Sequence, residues 1–73
     1  MPMRWSATRL DQLESAVRRG RRVALMRRGT EYIVIAVRLV AGSRETLIGR
    51  LPMTGEELEF VLDDIEAFEV VEA

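Results

Sequence analysis

The 73-residue chain contains no cysteine, no histidine, no lysine and no asparagine. Each absence excludes something. Without cysteine there is no disulfide and no thiolate, either as nucleophile or as metal ligand. Without histidine the commonest general base and the commonest zinc ligand are missing. Neither a Ser-His-Asp nor a Cys-His nucleophile system can be assembled from this alphabet. Long hydrophobic runs are also lacking. No window holds the ~20 apolar residues a membrane span needs, and the longest apolar run, Tyr32 to Val37, is strand-sized. The opening Met1-Pro2-Met3-Arg4-Trp5 has no apolar core of the kind a signal peptide carries. The expectation is a cytoplasmic location, no membrane association and no cofactor.

What is present suits a small binding domain. Residues 1–73 make one domain. A chain of this size buries only about 60% of the surface its unfolded form exposes, so the core must be thin. Hydrophobic residues make up 48% of the chain, enough to pack one. A hydrolase built on a carboxylate pair needs two acids facing across a cleft. A domain this small has little room for that, and the chain reads as a non-enzyme.

Charge is divided along the sequence. All 11 bases are arginine, which fits either a GC-rich coding bias or a choice of the planar guanidinium fork for phosphate and carboxylate recognition. Residues 1–50 hold every arginine and four acids, a net +7. Residues 51–73 hold eight acids and no base, a net −8. Such asymmetry is a hint of an interaction surface. Pairing across neighbouring strands would neutralise many of these charges. The remainder would leave one basic and one acidic face, suited to steering a charged partner or to stacking copies head to tail.

The periodicity predicts an amphipathic helix over residues 8–19. Leu10, Leu13 and Val17 recur at helix spacing, Ser6 or Thr8 can cap it, and Asp11 falls in the expected first turn. Arg18 and Arg19 suit the last turn, and Gly20 suits the C′ position. The period then changes to two. Arg21–Met26 reads as a strand with Val23 and Leu25 on one face, followed by a turn at Arg27-Arg28-Gly29-Thr30. Glu31–Ala41 is the strongest strand, with Ile33, Ile35, Val37 and Leu39 on one face and Tyr32, Val34, Ala36 and Val40 on the other. Apolar residues on both faces imply a strand covered on both sides or bent around a barrel. Gly42-Ser43 is a turn, and a further strand ends at Pro52. Gly49 within it points to a bulge or a close approach.

Residues 54–66 admit two readings. Thr54-Gly55-Glu56-Glu57 matches a capping box, and Leu58, Val61, Leu62 and Ile65 match a helical stripe. Yet Leu58, Phe60 and Leu62 also alternate against Glu57, Glu59 and Val61. A helix would leave Phe60 among polar residues and place Asp63, Asp64 and Glu66 toward its negative end. The strand reading avoids both problems and is preferred, with Phe68–Val71 as a last strand. The predicted fold is therefore α+β: an N-terminal helix followed by a small antiparallel five-stranded barrel. The alternative is an αβββαβ order with residues 54–66 helical.

One helix, then five strands with a short turn before the last, resembles the order of Sm-like and SH3-like small barrels. The segments Leu10-Asp11-Gln12-Leu13-Glu14-Ser15-Ala16 and Leu62-Asp63-Asp64-Ile65-Glu66-Ala67-Phe68 are also similar to the helix and the ending of the Rho-binding antiterminator (Rof) family. That resemblance spans most of residues 9–71. It implies a small acidic barrel that docks on a component of the transcription machinery. Sm proteins carry an Asp and an Asn at their RNA pocket, and a chain without asparagine does not support that pocket.

Two residue sets are candidate sites. The acidic set Glu56, Glu57, Glu59, Asp63 and Asp64 is a candidate protein-docking surface. Arg18, Arg19, Arg21, Arg22, Arg27 and Arg28 form the densest basic cluster and are the candidate phosphate grip for RNA or DNA. Its weakness is the scarcity of stacking partners: the aromatics are Trp5, Tyr32, Phe60 and Phe68, and both Phe residues read as core. Trp5 is either an exposed anchor or a lid on the barrel. Met26 and Met53 read as core filler or turn cover. Asp63, Asp64 and Glu66 lack the spacing and glycine of a calcium loop, so no metal is expected. Free sheet edges also make a homodimer or a self-assembling subunit possible.

Overall fold

The computed structural model describes residues 4–71, so Met1 to Met3 of the N-terminal reading and Glu72 of the acidic segment lie outside the described residues. The chain forms helix α1 (Ala7–Arg19), strands β1 (Arg22–Arg27), β2 (Thr30–Val40), β3 (Thr46–Arg50) and β4 (Glu57–Val61), a single 3-10 turn over Leu62–Asp64, and strand β5 (Ile65–Val70). All five strands lie in one antiparallel sheet of order β4-β3-β2-β1-β5. The α+β order and the strand reading of residues 57–61 hold. The helical alternative for 54–66 does not: Thr54 Oγ1 accepts from the Glu56 amide at 3.2 Å in a turn rather than capping a helix.

Helix α1 starts where Ser6 Oγ accepts from the Arg9 amide at 3.2 Å. It stops at Gly20, whose φ of 62° closes a Schellman motif. In that motif the Arg21 amide donates to Ala16 O at 2.9 Å and the Gly20 amide to Val17 O at 3.3 Å. Asp11 lies beyond the first turn, so the predicted dipole interaction there is absent. Leu13 and Ala16 are buried, and α1 packs on β2 and β5.

The sheet faces follow from the register. Val23 pairs with Val34 and Leu25 with Tyr32, all on the core side. A register shift between Ala36 and Arg38 then breaks the alternation of β2. Before it Tyr32, Val34 and Ala36 face inward; after it Leu39 does, opposite Leu47. The expectation that Leu39 shares a face with Ile33 and Ile35 is therefore corrected by one bulge at Val37. Ile33 remains 49% exposed on the outer face. Of the two explanations for a doubly apolar strand, curling is the one realised.

One core results: Leu13, Ala16, Val23, Leu25, Val34, Ala36, Leu47, Phe60, Leu62 and Ile65 form a single buried cluster. Gly49 is buried at its centre: it pairs with Ala36 at the edge of the β2 bulge, and the Val34 and Phe60 side chains fill the space where a Cβ would go, so both the bulge and the close approach that it suggested are found there. Met53, expected to fill the core or cover a turn, is 95% exposed and does not fill the core. Trp5 is the lid. Its Nε1 donates to Leu62 O at 2.8 Å and its ring lies 5.3 Å from that of Phe68.

Arg27 draws the curled sheet together. It stands at the end of β1, yet its Nη1 donates to Glu59 O on β4 at 2.9 Å. Its guanidinium carbon sits 4.7 Å from the Phe60 ring centroid and 5.2 Å from that of Tyr32. The two rings meet edge to face at 5.2 Å. Tyr32 and Phe60 belong to strands separated by β3, so this cluster forms only because the sheet closes toward a barrel.

Candidate functional site

Of the five acids of the candidate docking surface, Glu57 and Glu59 lie on the edge strand β4, Glu56 just precedes it, and Asp63 and Asp64 sit in the 3-10 turn that follows. Hydrogen bonds from Leu51 N to Glu56 O at 2.8 Å and from Leu62 N to Glu45 O at 3.0 Å set the phase of the β3–β4 ladder. Even-numbered residues of β4 bond to β3, so the backbone groups of Glu57, Glu59 and Val61 face outward. Glu59 O takes the Arg27 guanidinium. Glu56, Glu57, Glu59 and Asp63 are exposed and Asp64 is half-buried. Glu57 faces Arg38 at 4.0 Å and Asp64 faces Arg28 at 3.9 Å. Both contacts are long and exposed, worth between nothing and about 1 kcal/mol each. Among the described residues Glu56, Glu59 and Asp63 have no ion pair.

The basic set is dispersed. Arg18 and Arg19 end α1, and Arg21 follows it half-buried. Arg22 opens β1 on the outer face. Arg28 lies past the far end of that strand, about 20 Å away at the usual rise per residue. Arg27 is engaged by Glu59, Tyr32 and Phe60. The six arginines are therefore not one patch. Another grouping takes their place. Ile35 pairs with Arg22 on one side and Arg50 on the other, and Arg38 pairs with Ile48. Arg22, Arg38 and Arg50 thus share the outer face of the central strands. The alternation of β3 already put Arg50 and Ile48 on one face in sequence; the strand register was needed to bring in Arg22.

Charge therefore does not divide into two opposite faces. The segment carrying −8 supplies both edge strands, with Glu57 and Glu59 on β4 and Glu66 and Glu69 on β5. The arginine-bearing segment supplies the helix and the three central strands. Glu66 is an anchor: its Oε1 accepts from the Gly29 amide at 2.9 Å, and that hydrogen bond is the largest reason its carboxyl titrates below the ordinary range. Among the described residues no group of acids is placed to hold a metal ion, and no helix is long and apolar enough to cross a membrane. Comparison of the chain with family models, with curated proteins and with solved structures found no match.

Proposed function

We propose that the protein is a small non-enzymatic binding module that docks a protein partner on its acidic β4 edge. The observation that supports this reading most is that the outward-facing backbone groups of β4 lie beside acids without an ion pair among the described residues, Glu59 on the strand and Glu56 and Asp63 just beyond its two ends. An extended basic segment meets both requirements at once: main-chain hydrogen bonds to the groups that Arg27 leaves open, those of Glu57 and Val61 and the Glu59 amide, give attachment, and Glu56, Glu59 and Asp63 select charge. The strand order and the 3-10 turn before β5 suit an Sm-like or SH3-like small barrel. The Rof-like segments favour an adaptor of the transcription or RNA machinery, in the cytoplasm, and that step rests on analogy of fold.

The experiment is affinity capture with the wild-type protein and with a Glu56→Arg/Glu57→Arg/Glu59→Arg variant. A partner retained by the first and lost by the second, with thermal stability unchanged, supports docking at β4. Capture that survives the charge reversal refutes it.

A second reading is nucleic-acid binding through arginine, favoured by the outer-face set Arg22, Arg38 and Arg50 rather than by the full Arg18–Arg28 run. Fluorescence anisotropy against single- and double-stranded RNA and DNA tests it. Binding at low salt that weakens steeply with added salt and is lost on Arg22→Ala/Arg50→Ala establishes it. No binding at low salt removes it. Self-assembly by edge pairing is the least favoured reading, because β4 and β5 both present acids. A concentration-dependent mass in sedimentation would reinstate it.

A further inference from the structure

The second edge of the sheet differs from the first. On β5 the amide of Val71 donates to Arg22 O at 2.9 Å, which sets the phase of the β1–β5 ladder. Ala67, Glu69 and Val71 bond toward β1. The backbone N–H and C=O groups of Phe68 and Val70 therefore point away from it. They point into a groove of about 610 Å³ between β5 and α1. No described residue supplies them with a backbone partner.

The groove has a floor and two ends. Ala16, Phe68 and Val70 give the apolar floor, and Gln12 and Ser15 line the helix side. Phe68 lies by Trp5, at the start of α1. Val70 pairs with Val23, close to Arg21 and the end of α1. One end thus holds Arg19 and Arg21 and the other holds Asp11; Glu69 lies on the strand side. From Asp11 to Arg19 a helix rises about 12 Å, which an extended chain covers in about four residues.

We propose that this groove is a second binding site, for an extended peptide that adds to β5 as a sixth, antiparallel strand. The antiparallel direction puts the N-terminal side of the peptide at Arg19 and Arg21. The groove therefore selects an acidic residue there, a basic residue four positions later facing Asp11, and an apolar residue midway on the floor. Strand addition supplies attachment through Phe68 and Val70, and the end charges supply direction. The site is independent of the β4 reading, since it lies on the opposite edge of the sheet.

The probe is the capped peptide Glu-Thr-Val-Thr-Lys, with Lys-Thr-Val-Thr-Glu as its charge-swapped control, titrated into the isotope-labelled full chain. The expected result is saturable amide shifts at Phe68 and Val70 with a dissociation constant of about 1 mM, the weak end of specific affinity, and at least threefold weaker binding of the control. Val70→Pro removes the groove-facing donor and no β1 ladder bond, a position where an edge strand tolerates proline. It should keep the fold and weaken binding at least tenfold. Arg19→Glu/Arg21→Glu should reverse the preference between the two peptides and serves as the test if the proline variant does not fold. The Glu56→Arg/Glu57→Arg/Glu59→Arg variant should bind the probe as the wild type does. Absence of saturable shifts, equal binding of the two peptides, or binding unchanged in Val70→Pro overturns the proposal. So does a wild-type dimer that Val70→Pro dissociates, which would make this edge a contact between copies.

Discussion

Replacing Gly49 by alanine should destabilise the protein although it adds only a methyl group to a buried apolar site. The added Cβ would lie 2.6 Å from Val34 Cγ2, 3.0 Å from Val34 Cβ and 3.3 Å from Phe60 Cε2. Turning Val34 about χ1 moves Cγ2 away but leaves its Cβ in place. Val34 and Phe60 are both fully buried, so neither has free space to move into. Overpacking of this kind costs about 1–3 kcal/mol. Alanine recovers about 0.5–1 kcal/mol of chain entropy relative to glycine, leaving a net loss of about 1–2 kcal/mol. For a domain of this length that lowers Tm by roughly 5–15 °C. The decisive assay is a double-mutant cycle by urea denaturation. Val34→Ala alone should cost about 2 kcal/mol by removing buried methyl groups. In the double variant the new Cβ occupies the vacated space, so the pair should be at least about 1 kcal/mol more stable than the sum of the singles. Additivity within about 0.5 kcal/mol, or a Gly49→Ala variant as stable as the wild type, would refute the packing at this position.

Three further outcomes follow from the same geometry. Arg27→Met keeps the stem but loses the Glu59 carbonyl bond and both ring contacts; it should cost about 2 kcal/mol in a thermal melt, whereas Arg18→Met should stay within about 0.5 kcal/mol of wild type. Arg28 has φ of 52° in a two-residue turn with Gly29 at 77°. Arg28→Asn should therefore raise stability by about 0.5–1 kcal/mol, because Asn-Gly suits this turn and the long, exposed Asp64 contact contributes little. The Glu66 carboxyl is held below its ordinary value by the Gly29 amide. Its contribution is therefore full above the unfolded carboxylate value of about 4.3 and is lost as pH falls through the lower folded value. Melting curves of wild type and Glu66→Gln should differ at neutral pH and converge in acid, and a gap that persists or widens in acid would contradict that sign.

Local chemistry made most of the elements legible. Ser6 and Gly20 bound the helix as side-chain chemistry and conformational freedom dictate, Arg28-Gly29 falls where a turn was expected, and Pro52 stands just past the end of β3, where a strand was expected to stop. Phe60 settled the reading of residues 57–61, since a strand buries it and a helix does not. What escaped sequence reasoning was set by register. The bulge at Val37 moves Leu39 to the core face; its one sequence signal is Arg38, which strict alternation from Tyr32, Val34 and Ala36 would have placed in the core. Arg27 reads like the arginines around it until the curl of the sheet brings the Glu59 carbonyl and two aromatic rings to its guanidinium. The grouping of Arg22, Arg38 and Arg50 likewise exists only through pairing across β2. Single-strand periodicity carries the faces of each element but not which elements meet.

The same topology explains why a chain of near-zero net charge is so unevenly charged along its length. A five-stranded sheet of order β4-β3-β2-β1-β5 must leave two edges, and an unguarded edge pairs with whatever strand comes near. Here both edges are drawn from the acidic segment, so copies of this chain that approach edge to edge present Glu57 and Glu59 to Glu66 and Glu69. Arg27 further occupies the Glu59 carbonyl, an outward acceptor near the middle of β4. These devices disfavour pairing between copies, yet they leave β4 attractive to a basic strand. On β5, α1 sets a wall beside the edge without bonding to the groups that face it. In the two proposed sites, one edge would thus select by sign of charge and the other by the shape and polarity of a groove. A charge-reversal variant of β4 and a proline variant of β5 should for that reason fail in different assays and leave each other's binding intact.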